Sequence, residues 1–250
     1  MDSVVLIENA AEEFWALAGG APKSLRDIKM AITLTLPLEL YGVAGLRVSN
    51  VMAWMKRVQI AYRIQGRNRR LHGCLIANQG KGTIFFDVGD PEDEQRFSLA
   101  HELAHFLLDY SAPRQRAVTI LGPSILAVLD GERAPTEAER VHAVLSAVPL
   151  GVMSHFMERP EQGVPSNMIL DIEDRADRLA LELLAPAAEL QTLLRQAGVP
   201  RGYTARLAFA RKVLSEEYGL PEDIASGYGR YLLAQLGEPS FRDWLFGNIG

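Results

Sequence analysis

The sequence predicts an α+β protein that is mostly helical, with a small antiparallel sheet or hairpin. Two observations predict this class. Apolar residues recur at helical spacing along much of the 250 residues. Between residues 71 and 88 the pattern changes to two apolar runs around a Gly-rich turn, which is typical of two strands. A content of 48% hydrophobic and 23% charged residues is ordinary for a globular protein and gives it an ample core.

Three helices are predicted ahead of the strands, and we expect all three to be structural. Residues 8–18 form an amphipathic stretch that ends at a pair of glycines. Ser24 followed by Asp27 is typical of the start of a second helix. The apolar residues between Val48 and Tyr62 have the spacing of a third helix.

The two predicted strands form a hairpin. They cover residues 71–77 and 83–88, and the turn between them is Asn-Gln-Gly-Lys-Gly. The second strand comes just before the helix that carries the histidines described below, so it is placed to border a cleft and pair with an extended peptide by edge addition. The alternative is an ordinary strand whose edge is covered.

The segment 41–86 is a basic stretch in a chain whose net charge is −5. It contains eight Lys or Arg residues and no Asp or Glu. Such a segment is either a solvated surface that balances acidic neighbours or a docking surface for nucleic acid or an acidic partner.

One short segment carries the chemistry: Arg96 to Leu108, which reads RFSLAHELAHFLL. On a helix, His101 and His105 lie one turn apart on the same face, with Glu102 beside them. Neutral imidazoles at this spacing suit Zn²⁺, and the carboxylate suits a general base. Apolar residues surround all three groups, and burial of such polar groups needs a partner such as a metal ion. The segment therefore predicts a zinc site with Glu102 as the base.

A third metal ligand has to come from elsewhere, and the sequence leaves three choices. These are His142, His155, and the carboxylates between residues 171 and 177. The carboxylates are favoured because Glu173 and Asp177 are four apart on a predicted helix, so that one can bind the metal while the other orients a histidine. We expect the two histidines to lie at the surface or in packing. With Tyr110, they are also candidate donors to the oxyanion.

The segments Arg96–Leu108 and Glu173–Pro186 together resemble the ImmA/IrrE family of zinc metallopeptidases. The resemblance covers roughly residues 70–110 and 170–236. It implies the ligand set His101, His105 and Glu173, a pattern that is similar to gluzincin peptidases, with Glu102 catalytic. Asp177 replaces the family's more common Asn, and Leu179 and Leu181 also depart from its pattern.

An insertion separates the two segments, because Glu173 comes 68 positions after His105, well beyond the usual family gap. It covers about residues 112–168, contains six prolines, and includes an amphipathic helix near 136–148. Because it leaves one side of the expected site and returns to the other, it is either a lid or specificity element or a peripheral addition.

The predicted domains are a zincin-like core at 1–186, which includes the insertion, and a helical subdomain at 187–250. Three helices are expected in the second, near residues 190–197, 205–218 and 220–233. The last two resemble a helix-turn-helix around Gly219. Four acidic residues at that turn disfavour contact with phosphates.

These patterns predict a cytoplasmic zinc endopeptidase. The single cysteine excludes an internal disulfide framework, the N-terminus is not a signal peptide, and no run is long enough to span a bilayer. The resemblance implies that the substrate is a transcriptional repressor, often with a helix-turn-helix, cleaved in response to stress or mobile-element signals. One alternative is a non-proteolytic regulator or toxin-antitoxin component that contains zinc and acts by binding. Another is a DNA-binding stress regulator in which zinc is structural.

Overall fold

The structure is a computed structural model that describes residues 3–22, 25–62, 64, 66–159, 175–196 and 198–238. The chain divides into two compact units. One is Ile28–Val164, and the other combines Met1–Asp27 with Pro165–Gly250. The predicted domains, 1–186 and 187–250, do not coincide with these units and stay a prediction.

The unit Ile28–Val164 is built on a four-stranded mixed sheet. Its strands are β1 (Leu38–Val43), β2 (Leu71–Asn78), β3 (Lys81–Asp87) and β4 (Met153–Glu158), in the order β1-β3-β2-β4. The β2–β3 hairpin and the α+β class are confirmed. The sheet is not purely antiparallel, because β1 pairs in parallel with β3. The sequence did not predict β1 or β4.

The structure selects the second of the two alternatives for the strand before the histidine helix, an ordinary strand whose edges are covered. That strand is β3, and it is bonded to β1 on one side and to β2 on the other. Among the described strands, the edges of the sheet are β1 and β4. The sequence left the choice open because the strands that flank the hairpin, β1 and β4, are distant from it in the chain.

Helices cover both faces of this sheet. The helices of this unit are α2 (Ile28–Thr35), α3 (Val48–Arg57), α4 (Glu92–His105), α5 (Ala112–Leu121), α6 (Leu126–Leu129) and α7 (Glu137–Leu145). On one face, α3 buries Val51 and Met55 against Cys74 and Phe85 of the sheet. On the other face, α4 packs against β2, β3 and β4. The sheet therefore supports α4 along its apolar sides.

The predicted insertion is partly built into this unit. Its helices α5, α6 and α7 share a buried cluster that includes Ala117, Val128 and Ala143. Thr136 caps α7, because its hydroxyl accepts a hydrogen bond from the backbone N–H of Glu139 at 3.3 Å. The chain then enters β4, which pairs with β2. The part of the insertion that forms β4 therefore belongs to the sheet. A role of the insertion as a lid stays a prediction.

The second unit is helical in its described residues. It contains α1 (Ser3–Leu17), α8 (Arg175–Leu184), α9 (Ala187–Leu194), α10 (Tyr203–Glu216) and α11 (Glu222–Gln235). The indole N–H of Trp15 in α1 donates to the carbonyl of Leu183 in α8 at 3.0 Å. The helices α10 and α11 pack closely at Gly229, where a Cβ would lie 3.2 Å from Leu207. None of the described helices is both long enough and apolar enough to cross a membrane.

Candidate metal centre and catalytic site

The helix α4 places the three motif residues in the interior. Glu92, Asp93 and Glu94 occupy its first turn, where the helix dipole favours negative charge. The second half of the helix is buried on all sides, and Glu102 has 0% exposure. A carboxylate in such a place is unfavourable unless it has partners.

His101 and His105 point their Nε2 atoms at one another, as two ligands of one ion do. The two nitrogens are 3.2 Å apart. Two imidazole nitrogens that each lie 2.0–2.1 Å from a tetrahedral zinc ion would be about 3.3 Å apart. The ring centroids are 4.9 Å apart, and the same geometry gives about 5 Å. The pair therefore fits a tetrahedral metal without rearrangement.

Asp109 holds the orientation of His105. Its Oδ2 is 2.7 Å from His105 Nδ1, a contact that favours Nδ1 as the donor and leaves Nε2 able to bind a metal. Asp109 lies in a π-helical turn, Phe106–Ser111, that joins α4 to α5. Pro113 follows at the start of α5 and has no N–H to donate to the preceding turn, which favours an irregular helix there.

Gly73 in β2 makes room for the side chain of Glu102. A Cβ at this position would lie 3.1 Å from Glu102 Cγ and 3.3 Å from Oε1. Glu102 also contacts His155 in β4, whose Nδ1 is 2.9 Å from Oε2. Oε1 is buried and has no hydrogen-bond partner among the described residues. One oxygen of the carboxylate is thus held while the other can still accept a proton.

Three histidines gather at this place. The ring nitrogens of His101, His105 and His155 lie within 4.8 Å of one another, so that the group could hold a metal ion. Sequence reasoning placed His155 at the surface or in packing. The alternation of Met153, His155 and Met157 was a weak sign of a strand, but its pairing partner could not be read from the sequence.

The comparison with known families agrees with this geometry. Residues 61–124, about a quarter of the chain, match the model of the family Peptidase_M78, described as the IrrE N-terminal-like domain. This stretch of the chain is therefore similar to an IrrE N-terminal-like domain. This match confirms the resemblance to ImmA/IrrE and supports a metallopeptidase-type function. The matched residues include β2, β3, α4 and α5, whereas His155 lies beyond them. Searches of curated proteins and of solved structures gave no match.

The structure describes three of the four remaining predicted site residues: Tyr110, His142 and Asp177. Glu173 lies outside the described residues, and its role as third ligand stays a prediction. Asp177 lies in the first turn of α8 and is partly buried. The hydroxyl of Tyr110 accepts the backbone N–H of Gly80 at 2.8 Å, which commits it to the β2–β3 turn. Burial raises the pKa of Tyr110, which keeps it protonated.

His142 lies on α7 and is not part of the histidine group at the motif. Its oxyanion role has no supporting contact among the described residues.

A network of charged groups anchors the end of β4. Arg159, the residue after β4, donates to Asp87 at 3.1 Å and also bonds Asp90. Burial raises the pKa of Asp87, but hydrogen bonds from three backbone amides and the charge of Arg159 outweigh it and lower the pKa overall. Asp90 also contacts His72, with 2.9 Å between Oδ2 and Nδ1. Because Arg159 bonds both acids and so ties the end of β4 to them, we interpret the network as structural.

Some basic side chains of the segment 41–86 pair with acidic residues or lie over aromatic rings. Arg69 pairs with Glu158 of β4 at 2.6 Å and lies over the ring of Phe156. Arg57 lies over the ring of Tyr41. These contacts agree with a balanced surface, and nucleic-acid binding stays a prediction.

Proposed function

We propose that this protein is a zinc-dependent endopeptidase in which His101 and His105 bind the metal and Glu102 is the general base. The observation that carries the proposal is the fully buried Glu102 beside two imidazoles whose Nε2 atoms are 3.2 Å apart. A purely structural role would not explain a buried carboxylate whose Oε1 has no hydrogen-bond partner among the described residues. The match to Peptidase_M78 supports the same class of reaction.

The chemistry that zinc supplies at such a site is Lewis acidity, which polarises the scissile carbonyl and lowers the pKa of water. Glu102 Oε1 accepts a proton from the attacking water while the water oxygen bonds to the carbonyl carbon. The proton then passes from Oε1 to the leaving nitrogen as the C–N bond breaks. The products are a carboxylic acid and an amine, which become a carboxylate and an ammonium ion when the acid proton passes to the amine, and Glu102 returns to its ionised form. Asp109 and His155 keep the reacting groups in place.

The third ligand in this proposal is Glu173, as the family resemblance implies. The substrate is a protein, and we propose a transcriptional repressor with a helix-turn-helix, cleaved during a stress response. An extended segment of that substrate can pair with β4, which is an edge of the sheet among the described strands and carries His155 beside Glu102. The free, buried thiol of Cys74 suits a reducing cytoplasm.

The decisive experiment compares wild type with Glu102→Gln after zinc loading. Gln keeps the size of the side chain and can still accept a hydrogen bond from His155, but it cannot take a proton. Cleavage of a randomised library of quenched fluorescent peptides should fall by a factor of at least about 10². Zinc bound per chain, measured by mass spectrometry of metals, should stay the same. Equal cleavage by the two proteins would exclude Glu102 as the base.

Two further arms of that experiment test the metal itself. Removal of zinc with a chelator should abolish cleavage, and added zinc should restore it. Glu173→Ala should lower zinc affinity, whereas full affinity in that variant would exclude Glu173 as a ligand. A wild-type protein that binds zinc but cleaves no peptide would instead favour the alternative of a zinc-containing regulator that acts by binding.

A further inference from the structure

His155 reaches the site from a part of the chain that neither the motif nor the family match includes. It lies at the centre of β4, where it pairs with Leu75 of β2. Its neighbours in the strand, Ser154 and Phe156, point to the opposite face, where Phe156 packs against the α3 side of the sheet. The pleat therefore turns the imidazole of His155 toward α4.

Ring geometry argues against His155 as a ligand of the same ion as His105. Two imidazoles bound to one tetrahedral metal have centroids about 5 Å apart. The rings of His105 and His155 are stacked, with 3.5 Å between centroids and 24° between planes. The stack is too close and too parallel for both rings to direct a nitrogen at one ion. It instead places His155 beside the metal pair.

The hydrogen bond of His155 selects one oxygen of Glu102. His155 Nδ1 is 2.9 Å from Oε2, whereas Oε1 has no partner among the described residues. A carboxylate that is free to rotate could present either oxygen in many directions. A carboxylate held at Oε2 presents only Oε1 as a base.

We propose that His155 is a positioning residue, which donates Nδ1–H to Glu102 Oε2 and so orients Oε1 for proton transfer. This inference rests on the proposed peptidase function. It also gives the insertion a role, because the segment between α5 and the end of β4 delivers this histidine to the catalytic carboxylate. The metal ligands of the proposed function, His101, His105 and Glu173, are unchanged by this inference.

Three substitutions separate positioning from metal binding. His155→Asn keeps an amide N–H near the position of Nδ1, His155→Gln moves that group farther along the side chain, and His155→Ala removes it. Phe156→Ala is the matched control, because it loosens the same strand from the opposite face without a contact to Glu102. The experiment measures zinc affinity, and kcat and KM on the peptide library, for all four variants and the wild type.

The expected result is a loss of kcat by about 10² in His155→Ala, with unchanged KM and zinc affinity. The kcat of His155→Asn should be at least tenfold higher than that of His155→Ala, whereas the kcat of His155→Gln should be much closer to that of His155→Ala. Phe156→Ala should lower thermal stability but retain kcat. A tenfold or greater loss of zinc affinity in His155→Ala would overturn the proposal and make His155 a ligand. Equal kcat losses in Phe156→Ala and His155→Ala would also overturn it, as would unchanged kcat in His155→Ala.

A second measurement does not depend on activity. In ¹⁵N spectra of the zinc-loaded protein, His155 should be protonated at Nδ1, and that signal should change in Glu102→Ala. A His155 that carries its proton at Nε2 and is insensitive to Glu102→Ala would overturn the inference. Wild-type protein that cleaves nothing, yet shows the Nδ1–H signal, would count against the peptidase function rather than against the contact.

Discussion

A methyl group added at Gly73 should lower the rate of catalysis strongly while it lowers the stability of the fold only slightly. The added Cβ would lie 3.1 Å from Glu102 Cγ and 3.3 Å from Oε1, whereas its contact with the carbonyl of Phe85, at 3.6 Å, is ordinary. Normal van der Waals contact begins at 3.4 Å, so Glu102 has to move by a few tenths of an ångström. The site gives it little freedom, because Glu102 is fully buried and bonded to His155.

Two opposing effects set the stability of Gly73→Ala. Overpacking of a buried site costs about 1–3 kcal/mol. The loss of glycine's freedom in the unfolded chain offsets about 0.4–1 kcal/mol of this. We therefore expect a decrease of about 0–2.6 kcal/mol in the free energy of unfolding, measured by chemical denaturation. We expect a clear effect on catalysis as well. A displacement of 1 Å costs about 10² in rate, so a displacement of a few tenths of an ångström should lower kcat about fivefold to tenfold.

Gly42→Ala is the control for this prediction. It makes the same change in the same sheet, where the new Cβ would meet the side chain of Val88 at 2.6 Å. Val88 is exposed and can rotate, and the other close neighbour of the new Cβ is the ring of Phe86, at 3.1 Å. The assay is kcat on the peptide library with zinc fully bound. If Gly73→Ala keeps wild-type kcat, or if Gly42→Ala loses as much, Glu102 does not depend on the space that Gly73 provides.

Two other predictions concern the metal and the insertion. Asp109→Ala should weaken zinc binding about 10–100-fold in a competition titration, because His105 loses the carboxylate at 2.7 Å that orients it; an unchanged affinity would contradict this role. In α7, the hydrogen bonds from Arg133 lower the pKa of Glu139 to about 2, from an ordinary value of 4.5. The stabilisation of α7 by this pair is therefore fully present above pH 4.5 and is lost as the pH falls through about 2. An NMR titration of the Glu139 carboxyl checks this, and Arg133→Met should return its pKa toward 4.5, whereas a midpoint that does not move would exclude Arg133 as the cause.

Local patterns predicted most of the elements correctly. The hairpin, the α3 stripe and the helix α4 follow from periodicity and turn residues, which act over a few positions. The helix α7 follows in the same way from Thr136 and Glu139, which form its capping box. The pair His101 and His105 could be read directly, because an α-helix converts a spacing of four into one face.

Long-range pairing could not be predicted in the same way. The strand β4 has partly buried residues of mixed character on both faces, so its sequence does not alternate clearly. Its partner β2 is more than 70 residues away in the chain. Asp109 was also missed, although it lies four positions after His105, a spacing that places both side chains on one face of a helix.

The sequence by itself predicted the metal motif, Glu102 as its base and the resemblance to the family, because these depend on residue types at fixed local spacing. Only the tertiary structure decided that Gly73 opens space for Glu102, that β4 rather than the hairpin is an edge among the described strands, and that His155 contacts Glu102. The physical reason is that such contacts join residues distant in sequence through sheet register. A shift of one residue in that register would turn His155 to the opposite face.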